Sequence, residues 1–273
     1  MKMKKGVIGV AAALAAILMV ASGCSSSGGS TESGTGATST AAVSTADQQS
    51  EGFEIKYPES LKEQFGESLK MEKTPERIIV MTAGPVMTLY EMGVDMVAIP
   101  NSSITEWPDD LEAERLPFGM NEIDMESIIA LKPDLVILSS TNKEKYGNTL
   151  ESQGIACYYV NAGPTVQYED IKTEVQILGE AFNKKEETDA IMKKFTDLET
   201  DMAAFKEKNG GKSVGILFSY PPSYMQGSGG YLGNMLEKLG YVNVSDKDGQ
   251  AVSNAQLSRE DLIVGNPDLL FAV

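Results

Sequence analysis

The side chains on which most enzyme chemistry depends are scarce in this sequence. Its 273 residues include no histidine and two cysteines, Cys24 and Cys157. Without histidine, these residues cannot form a Ser-His-Asp triad, a Cys-His pair or a histidine-bearing zinc site. The Gly-Lys-Ser run at 211–213 has the residues that end a phosphate-binding loop, but Lys206 stands where such a loop has its first glycine. The sequence therefore predicts no catalytic residues, no intrinsic cofactor and a protein that is not an enzyme.

Cys24 stands at the end of a secretion signal. Lysines at positions 2, 4 and 5 precede the uncharged stretch Gly6–Val20, which is shorter than the roughly 20 apolar residues that a membrane span needs. The run Ala21–Cys24 then resembles the lipobox of bacterial lipoproteins, in which the cysteine becomes the lipidated first residue of the mature chain. This resemblance implies that residues 1–23 are a lipoprotein signal peptide and that Cys24 holds the protein at the outer side of the cell membrane. The alternative is an ordinary cleaved signal beside an unrelated cysteine.

The segment after Cys24 has the composition of a linker. Residues 24–51 are mostly Ser, Gly, Thr and Ala, which bury too little apolar surface to offset the entropy of ordering the chain. We expect a flexible tether between the anchor and the folded part.

The whole chain has 23 basic against 39 acidic residues. This acidic balance argues against nucleic acid as a partner, because nucleic-acid binding depends on positive charge.

Cys157 lies in the apolar run Ile155–Val160, so we expect it to be a buried strand residue instead of a reactive thiol. Apolar runs like Ile155–Val160 alternate with helical patterns from residue 77 to residue 160. Further buried strands are predicted at Arg77–Met81, Asp95–Pro100 and Asp134–Ser139, and helices at Val86–Met92, Ile123–Leu131 and Tyr146–Gln153. Alternation of this kind is typical of a parallel sheet covered by helices, so residues 52–166 are predicted to form an N-terminal α/β lobe.

A helical segment follows this lobe. Between Tyr168 and Lys208, apolar residues recur every three or four positions, which predicts two helices, each with one buried stripe, and a break at Asn183–Lys185. Residues 167–208 are therefore expected to bridge to a second lobe. From 209 to 273 the strand–helix rhythm resumes, with strands at Val214–Phe218, near Val242 and at Leu269–Val273, and helices at Tyr231–Leu239 and Arg259–Val264. The predicted fold class is α/β, with two lobes of mainly parallel sheet joined by a long helix.

One sequence unit occurs twice, once in each predicted lobe. The stretch Glu126–Val136 aligns without gaps with Glu260–Leu270, and each opens a short helix with a glutamate, stops it with Pro-Asp and continues into an apolar strand. Proline ends a helix because it lacks the backbone N–H and restricts the residue before it. We interpret the two stretches as a repeated structural unit, although the same punctuation occurs in unrelated strand–helix units.

Taken together, these pieces resemble the binding proteins of ABC importers for iron siderophores, cobalamin and heme. The stretches that carry the resemblance are Glu76–Val80, Leu89–Gly93, Met125–Ile137, Leu257–Leu262 and Asn266–Asp268. The resemblance implies two α/β lobes bridged by one stiff helix, with the ligand in the cleft between them. It also implies that Glu126 and Glu260 dock onto arginines of the membrane permease. Two solvated glutamates that are favoured by helix dipoles are the alternative.

Within that family, three stretches are most similar to the heme-receptor lipoproteins of the iron-regulated surface determinant system: Phe118–Asn121, Leu178–Lys185, and Pro222–Met225 followed by Tyr231–Gly233. This resemblance implies heme as the transported ligand and Met120 as a possible axial ligand of its iron. Trp107, Tyr224 and Met225 are candidate walls of the cleft, because aromatic and thioether groups suit a tetrapyrrole face. All four can equally be packing residues. A histidine that the resemblance would place beyond Val273 is not in the sequence, and we expect the C-terminal lobe to be incomplete.

The sequence thus predicts an extracytoplasmic, lipid-anchored solute-binding protein. It would act as a monomer, capture heme between its lobes and deliver it to an ABC permease and its ATPase. A receptor for a ferric siderophore or cobalamin is the first alternative within the class. A sensory lipoprotein that binds a ligand without transporting it, and an extracellular enzyme on the same scaffold, are alternatives from other classes.

Overall fold

A computed structural model describes residues 52–102, 105–117, 123–163, 165–219, 222–247, 249–256 and 258–273. The described chain begins with a hairpin-like unit that the sequence pattern did not predict. Strand β1 (Phe53–Lys56) and strand β2 (Ser68–Met71) pair antiparallel around helix α1 (Glu59–Phe65). Phe53, Ile55 and Tyr57 are buried against the N-terminal lobe, where Tyr57 stacks on Tyr158 with ring centroids 4.8 Å apart.

The N-terminal lobe is built on five parallel strands, as the strand–helix alternation predicted. They are β3 (Ile78–Val80), β4 (Ala98–Pro100), β5 (Glu114–Leu116), β6 (Leu135–Ser139) and β7 (Ala156–Val160), in the order β5-β4-β3-β6-β7. Strands β3, β4 and β6 are buried throughout, which is why they appear in the sequence as continuous apolar runs. Strand β5 was not predicted, because its sequence, Glu-Arg-Leu, has no apolar run.

Short helices connect these strands. They are α2 (Ala83–Glu91), α3 (Met125–Ala130) and α4 (Asn148–Ser152). The predicted helix at Tyr146–Gln153 was wrong at its start, because a 3₁₀ turn (Ser140–Asn142) and a π turn (Lys143–Gly147) precede α4.

Strand β7 contains Cys157, which is buried as predicted, and burial raises the pKa of its thiol to about 12. A thiol with that pKa remains protonated and unreactive near neutral pH.

Two helices form the bridge. They are α5 (Tyr168–Ala181) and α6 (Lys185–Asn209), and the chain turns between them where Asn183 has a φ of 53°. The predicted break is confirmed, and Val175, Leu178 and Ile191 are buried as the stripes required. Leu198 was expected in the second stripe, but 43% of its surface is exposed because it lies beside an open groove between α2, α5 and α6.

Among the described residues, no helix is both long enough and apolar enough to cross a membrane.

The C-terminal lobe contains a mixed sheet. Its elements are β8 (Ser213–Phe218), β9 (Tyr224–Gln226), α7 (Tyr231–Lys238), β10 (Val242–Asn243), β11 (Asn254–Gln256), α8 (Arg259–Gly265) and β12 (Leu269–Ala272). β10 and β12 run parallel to β8, whereas β9 pairs antiparallel with both β8 and β11. The connection from β8 to β9 spans five residues, 219–223, and a parallel crossover needs about a dozen or more. The antiparallel strands qualify the expectation of a mainly parallel sheet in this lobe.

The repeated sequence unit corresponds to a repeated structure. Lys132 and Asn266, which each precede the proline, both take a positive φ, of 49° and 38°. Asp134 then accepts hydrogen bonds from the backbone N–H groups of Glu76 and Arg77 at 2.8 and 2.9 Å. Asp268 accepts in the same way from Ser213 N and Oγ at 2.7 and 2.9 Å, and these hydrogen bonds lower the pKa of its carboxyl. Each aspartate therefore ties its own strand to the first strand of its lobe.

Candidate functional site

A cavity of about 370 Å³ lies where the N-terminal lobe, the bridge and the C-terminal lobe meet. Its walls come from the start of α2, the segment after β7, one face of α5 and the first residue of α7. The lining residues are Thr82, Ala83, Gly84, Pro85, Thr88, Asn161, Ala162, Gly163, Val166, Asp170, Ile171, Glu174 and Tyr231. Tyr231 is the contribution of the C-terminal lobe, so this cavity is a cleft between lobes.

Parallel strands explain why these residues meet. The carboxyl ends of β3 and β7 lie at the same edge of the sheet, and the chain continues from them into Thr82 and Asn161. In open α/β sheets this edge is where ligands bind. Thr82 takes an extended conformation, with φ −142° and ψ 137°, and begins α2 without a side-chain capping hydrogen bond. Its Oγ1 is buried and has no hydrogen-bond partner among the described residues.

Glu174 forms the floor of the cavity on the α5 side. A Cβ atom built on Gly84 would lie 3.7 Å from Glu174 Oε1, so the carboxyl group lies beside the first turn of α2. Burial raises the pKa of Glu174 to about 8, and the negative charge of Asp170, one helical turn earlier, adds to the rise. The cavity therefore contains a carboxyl group that exchanges its proton near neutral pH.

Direct contacts hold the C-terminal wall of the cavity against the bridge. Asn234 Oδ1 on α7 accepts a hydrogen bond from the backbone N–H of Tyr168 at 3.1 Å. Lys238 Nζ donates to Glu169 Oε1 at 2.8 Å, and this hydrogen bond lowers the pKa of Glu169. Because these contacts join the first turn of α5 to the middle and the last residue of α7, they hold α7, which begins with Tyr231, beside the cavity.

The structure does not bring the predicted ligand-binding residues together at this cavity. Met120 lies outside the described residues. Trp107 packs partly buried on the N-terminal core and donates from Nε1 to the Pro100 carbonyl at 3.0 Å. Tyr224, on β9, stacks on Phe218 with centroids 4.8 Å apart and an interplanar angle of 7°. Neither ring lines the interlobe cavity.

Met225 faces a different cavity, inside the C-terminal lobe. The residue is 5% exposed and lines a space of about 230 Å³ that also touches Ser245 and Leu262. Its methyl group lies close to Gly215, where an added Cβ would approach it to 3.4 Å. These contacts place Met225 in the interior between the sheet and α8. Tyr224 and Met225 have different surroundings because neighbouring residues on a strand point to opposite faces.

The two predicted docking glutamates occupy matching positions. Glu126 is the second residue of α3 and Glu260 is the second residue of α8, and both are exposed. Each helix leads through its Pro-Asp pair into a strand that runs parallel beside the first sheet strand of its lobe, β6 beside β3 and β12 beside β8. The predicted lipidation site, Cys24, lies outside the described residues.

Sequence reasoning missed Thr82, Asn161, Glu174 and Tyr231 as cavity residues. One signal was available for Glu174, since it lies three residues after Ile171 and four before Leu178, on the apolar stripe of α5. An acidic residue within an apolar stripe marks a buried carboxyl group. No local signal distinguishes the other three, because they come together only when three chain segments meet.

Comparison with known proteins gives consistent matches. A family model described as "Periplasmic binding protein" matches residues 78–273. The ABC transporter substrate-binding lipoprotein YvrC of Bacillus subtilis (strain 168) is 23% identical over 225 residues, which cover 78% of this chain and 68% of that protein. The vitamin B12-binding protein of Salmonella typhi is 24% identical over 193 residues, which cover 70% of each chain. Among solved structures, Staphylococcus aureus IsdE complexed with heme superposes with a TM-score of 0.58 at 22% identity, covering 72% of this chain and 74% of that chain.

Proposed function

The chain belongs to the periplasmic binding protein family, and we propose that it is the substrate-binding component of an ABC importer. In this proposal it captures a small molecule outside the membrane and delivers it to a permease and its ATPase. The observation that carries the proposal is the cavity framed by the N-terminal lobe, α5 and Tyr231. The names of YvrC and the vitamin B12-binding protein support the same role. Anchoring through a lipid on Cys24 belongs to this proposal.

The proposed ligands are heme, a ferric siderophore and cobalamin. Heme is the ligand that the sequence resemblance favours, and the likeness of the fold to the heme complex of IsdE is compatible with it. Met120 is the iron ligand in that version of the proposal, and it remains a prediction. Cobalamin is the second candidate, supported by the vitamin B12-binding relative. No carboxylate, cysteine or histidine cluster that could hold a bare metal ion occurs among the described residues, so the cargo is proposed to be a chelate.

Titration of purified protein with hemin, cyanocobalamin and a ferric siderophore tests the proposal. Tight, saturable binding of one of them, followed by visible absorption or calorimetry, is the expected result. If hemin binds, Met120→Ala should shift the Soret band, and Met235→Ala, a change on α7 away from the cavity lining, should leave it in place. Absence of binding to all three compounds contradicts the proposed role.

Docking onto the permease is proposed to use Glu126 and Glu260. Their equivalent places in the two lobes put one carboxylate on each half of the molecule, and paired charges of this kind fix orientation and speed encounter. The variants Glu126→Lys and Glu260→Lys should each reduce uptake by cells, and the double variant should abolish it. Ligand affinity in solution should not change. Glu237→Lys, a charge reversal at an exposed position on α7, is the matched control. Normal uptake by the double variant would contradict the assignment.

A further inference from the structure

The polar groups that line the interlobe cavity are acidic or neutral. They include the carboxyl groups of Asp170 and Glu174, the amide of Asn161 and the hydroxyl of Thr82, and the lining contains no lysine or arginine. Within residues 52–273, the positions outside the described ranges also contain no lysine or arginine. The cavity is therefore rich in acceptors and has no positive charge to meet an anion.

Two of these groups have no protein partner. Among the described residues, the carboxyl group of Glu174 forms no hydrogen bond and no ion pair, and the buried Oγ1 of Thr82 is also unpaired. A buried hydroxyl such as that of Thr82 is normally hydrogen-bonded, because an unsatisfied one costs free energy. The Glu174 side chain is half-buried. Asp170 differs, since its Oδ2 accepts from the Gln167 backbone N–H at 2.8 Å and so caps α5. Glu174 on α5 and Thr82 at the start of α2 therefore remain available to meet a ligand.

We propose that the ligand enters this cavity with an uncharged or cationic face that carries hydrogen-bond donors, such as amide or amine groups, and that the Glu174 carboxylate accepts from it as a proton leaves. The inference rests on the proposed function, because it names the ligand class of the same cleft. The proton is lost from the Glu174 carboxyl group to solvent, and no covalent bond to the ligand forms. A porphyrin with two carboxylates and an anionic ferric siderophore offer negative charge instead, whereas a corrin ring with amide side chains offers donors.

The surroundings of Glu174 make proton loss and ligand binding depend on each other. Asp170 faces it from the same helix, and Tyr158 faces it from β7 with a hydroxyl that donates to the Lys56 carbonyl at 2.8 Å. Tyr231 faces the cavity from α7, and the first turn of α2 contributes no charged side chain. Because none of these groups is a cation, the carboxylate of Glu174 is stabilised only when a ligand supplies a donor or a positive charge.

Thermodynamic linkage between proton loss and ligand binding gives the sign and size of the pH dependence of the affinity. The pKa of Glu174 is about 8 in the free protein, so the carboxyl group is mostly protonated at pH 6.5 and mostly ionised at pH 8.5. A ligand that binds only the carboxylate should therefore bind up to about 25-fold more tightly at pH 8.5 than at pH 6.5. A ligand that prefers the protonated carboxyl group would show the opposite trend.

Calorimetric titration of cyanocobalamin at pH 6.5, 7.5 and 8.5 tests the inference. Affinity should rise with pH, proton release should be visible as a dependence of the heat on buffer ionisation enthalpy, and Glu174→Gln should remove both. Glu180→Gln, on the same helix but outside the cavity and paired with Lys56 at 2.5 Å, should keep both. Thr82→Val should weaken binding at every pH without changing the slope, which guards against a general loss of folding.

The outcomes separate this inference from the proposed function. Tight binding of hemin or a ferric siderophore in place of cyanocobalamin overturns the inference and leaves the receptor role standing. Cyanocobalamin binding that is independent of pH, or that Glu174→Gln leaves unchanged, also overturns it. Failure of all three compounds to bind contradicts the receptor role itself.

Discussion

Replacement of Gly179 by alanine tests how tightly the two bridging helices pack. Gly179 is buried in α5, and a Cβ atom there would overlap Thr188 Oγ1 on α6 and lie 2.9 and 3.0 Å from Thr188 Cβ and Cγ2. Thr188 cannot easily turn away, because its hydroxyl donates to the Lys184 carbonyl at 2.6 Å and its side chain is β-branched. The bridge is therefore expected to tolerate no side chain at position 179.

Two opposing contributions set the size of the stability change in Gly179→Ala. Alanine is favoured over glycine inside a helix by about 1 kcal/mol. Overpacking a tight contact costs about 1–3 kcal/mol, and more when neighbouring atoms cannot move. The overlap at Gly179 involves three atoms of one constrained side chain, so we place the packing cost at the upper end of that range. The expected net result for Gly179→Ala is a loss of about 1–2 kcal/mol in the free energy of unfolding.

A double-mutant cycle with Thr188→Ala isolates the contact. The Thr188→Ala change removes Oγ1 and Cγ2 and leaves only Cβ, so Gly179→Ala should cost much less stability in that background, with a coupling energy of at least about 1 kcal/mol. Urea denaturation followed by circular dichroism measures all four proteins. Gly84→Ala is the matched control, because its added Cβ would meet Glu174 Oε1 at an ordinary 3.7 Å. Unchanged or increased stability of Gly179→Ala alone would refute the reasoning.

Two further predictions concern the N-terminal lobe. Asp134→Ala should lower the free energy of unfolding by about 2–3 kcal/mol, since it leaves the backbone N–H groups of Glu76 and Arg77 without their charged acceptor; thermal unfolding with Asp134→Asn as a partial rescue measures this. Tyr158→Phe should cost about 1 kcal/mol, because a buried hydroxyl that donates to the Lys56 carbonyl is lost while the ring stays packed. Equal stability of Tyr158→Phe and the parent protein in urea would show that this hydrogen bond contributes nothing net.

Periodic patterns explain how much of the fold could be predicted. Strands β3, β4, β6 and β7 are continuous apolar runs because parallel strands are covered on both faces, and the break in the bridge coincides with Asn183 at positive φ. The short strands β5, β9 and β11 escaped prediction. Their residues include few apolar side chains, and their pairing is decided by neighbouring strands instead of by their own sequence.

The candidate site was predictable only in part. Glu126 and Glu260 were singled out because their sequence unit is local and repeated, and each is the second residue of its helix. Their role in docking stays a prediction. Trp107 and Met225 were chosen for side-chain type alone, and the described structure gives both of them packing contacts. Side-chain type says what a residue can contact, whereas burial and direction depend on the elements around it.

The amino-acid sequence by itself determined the order of the main strands and helices, the division into two lobes with a helical bridge, and the repeated unit that contains Asp134 and Asp268. These features follow from periodicity and from proline and aspartate chemistry within a few residues. Only the tertiary structure decided that Thr82, Asn161, Glu174 and Tyr231 share one cavity and that the Glu174 carboxyl group forms no hydrogen bond or ion pair with the described part of the chain. The physical reason is that desolvation and electrostatic coupling depend on distance in space, and these four residues come from segments far apart in the chain.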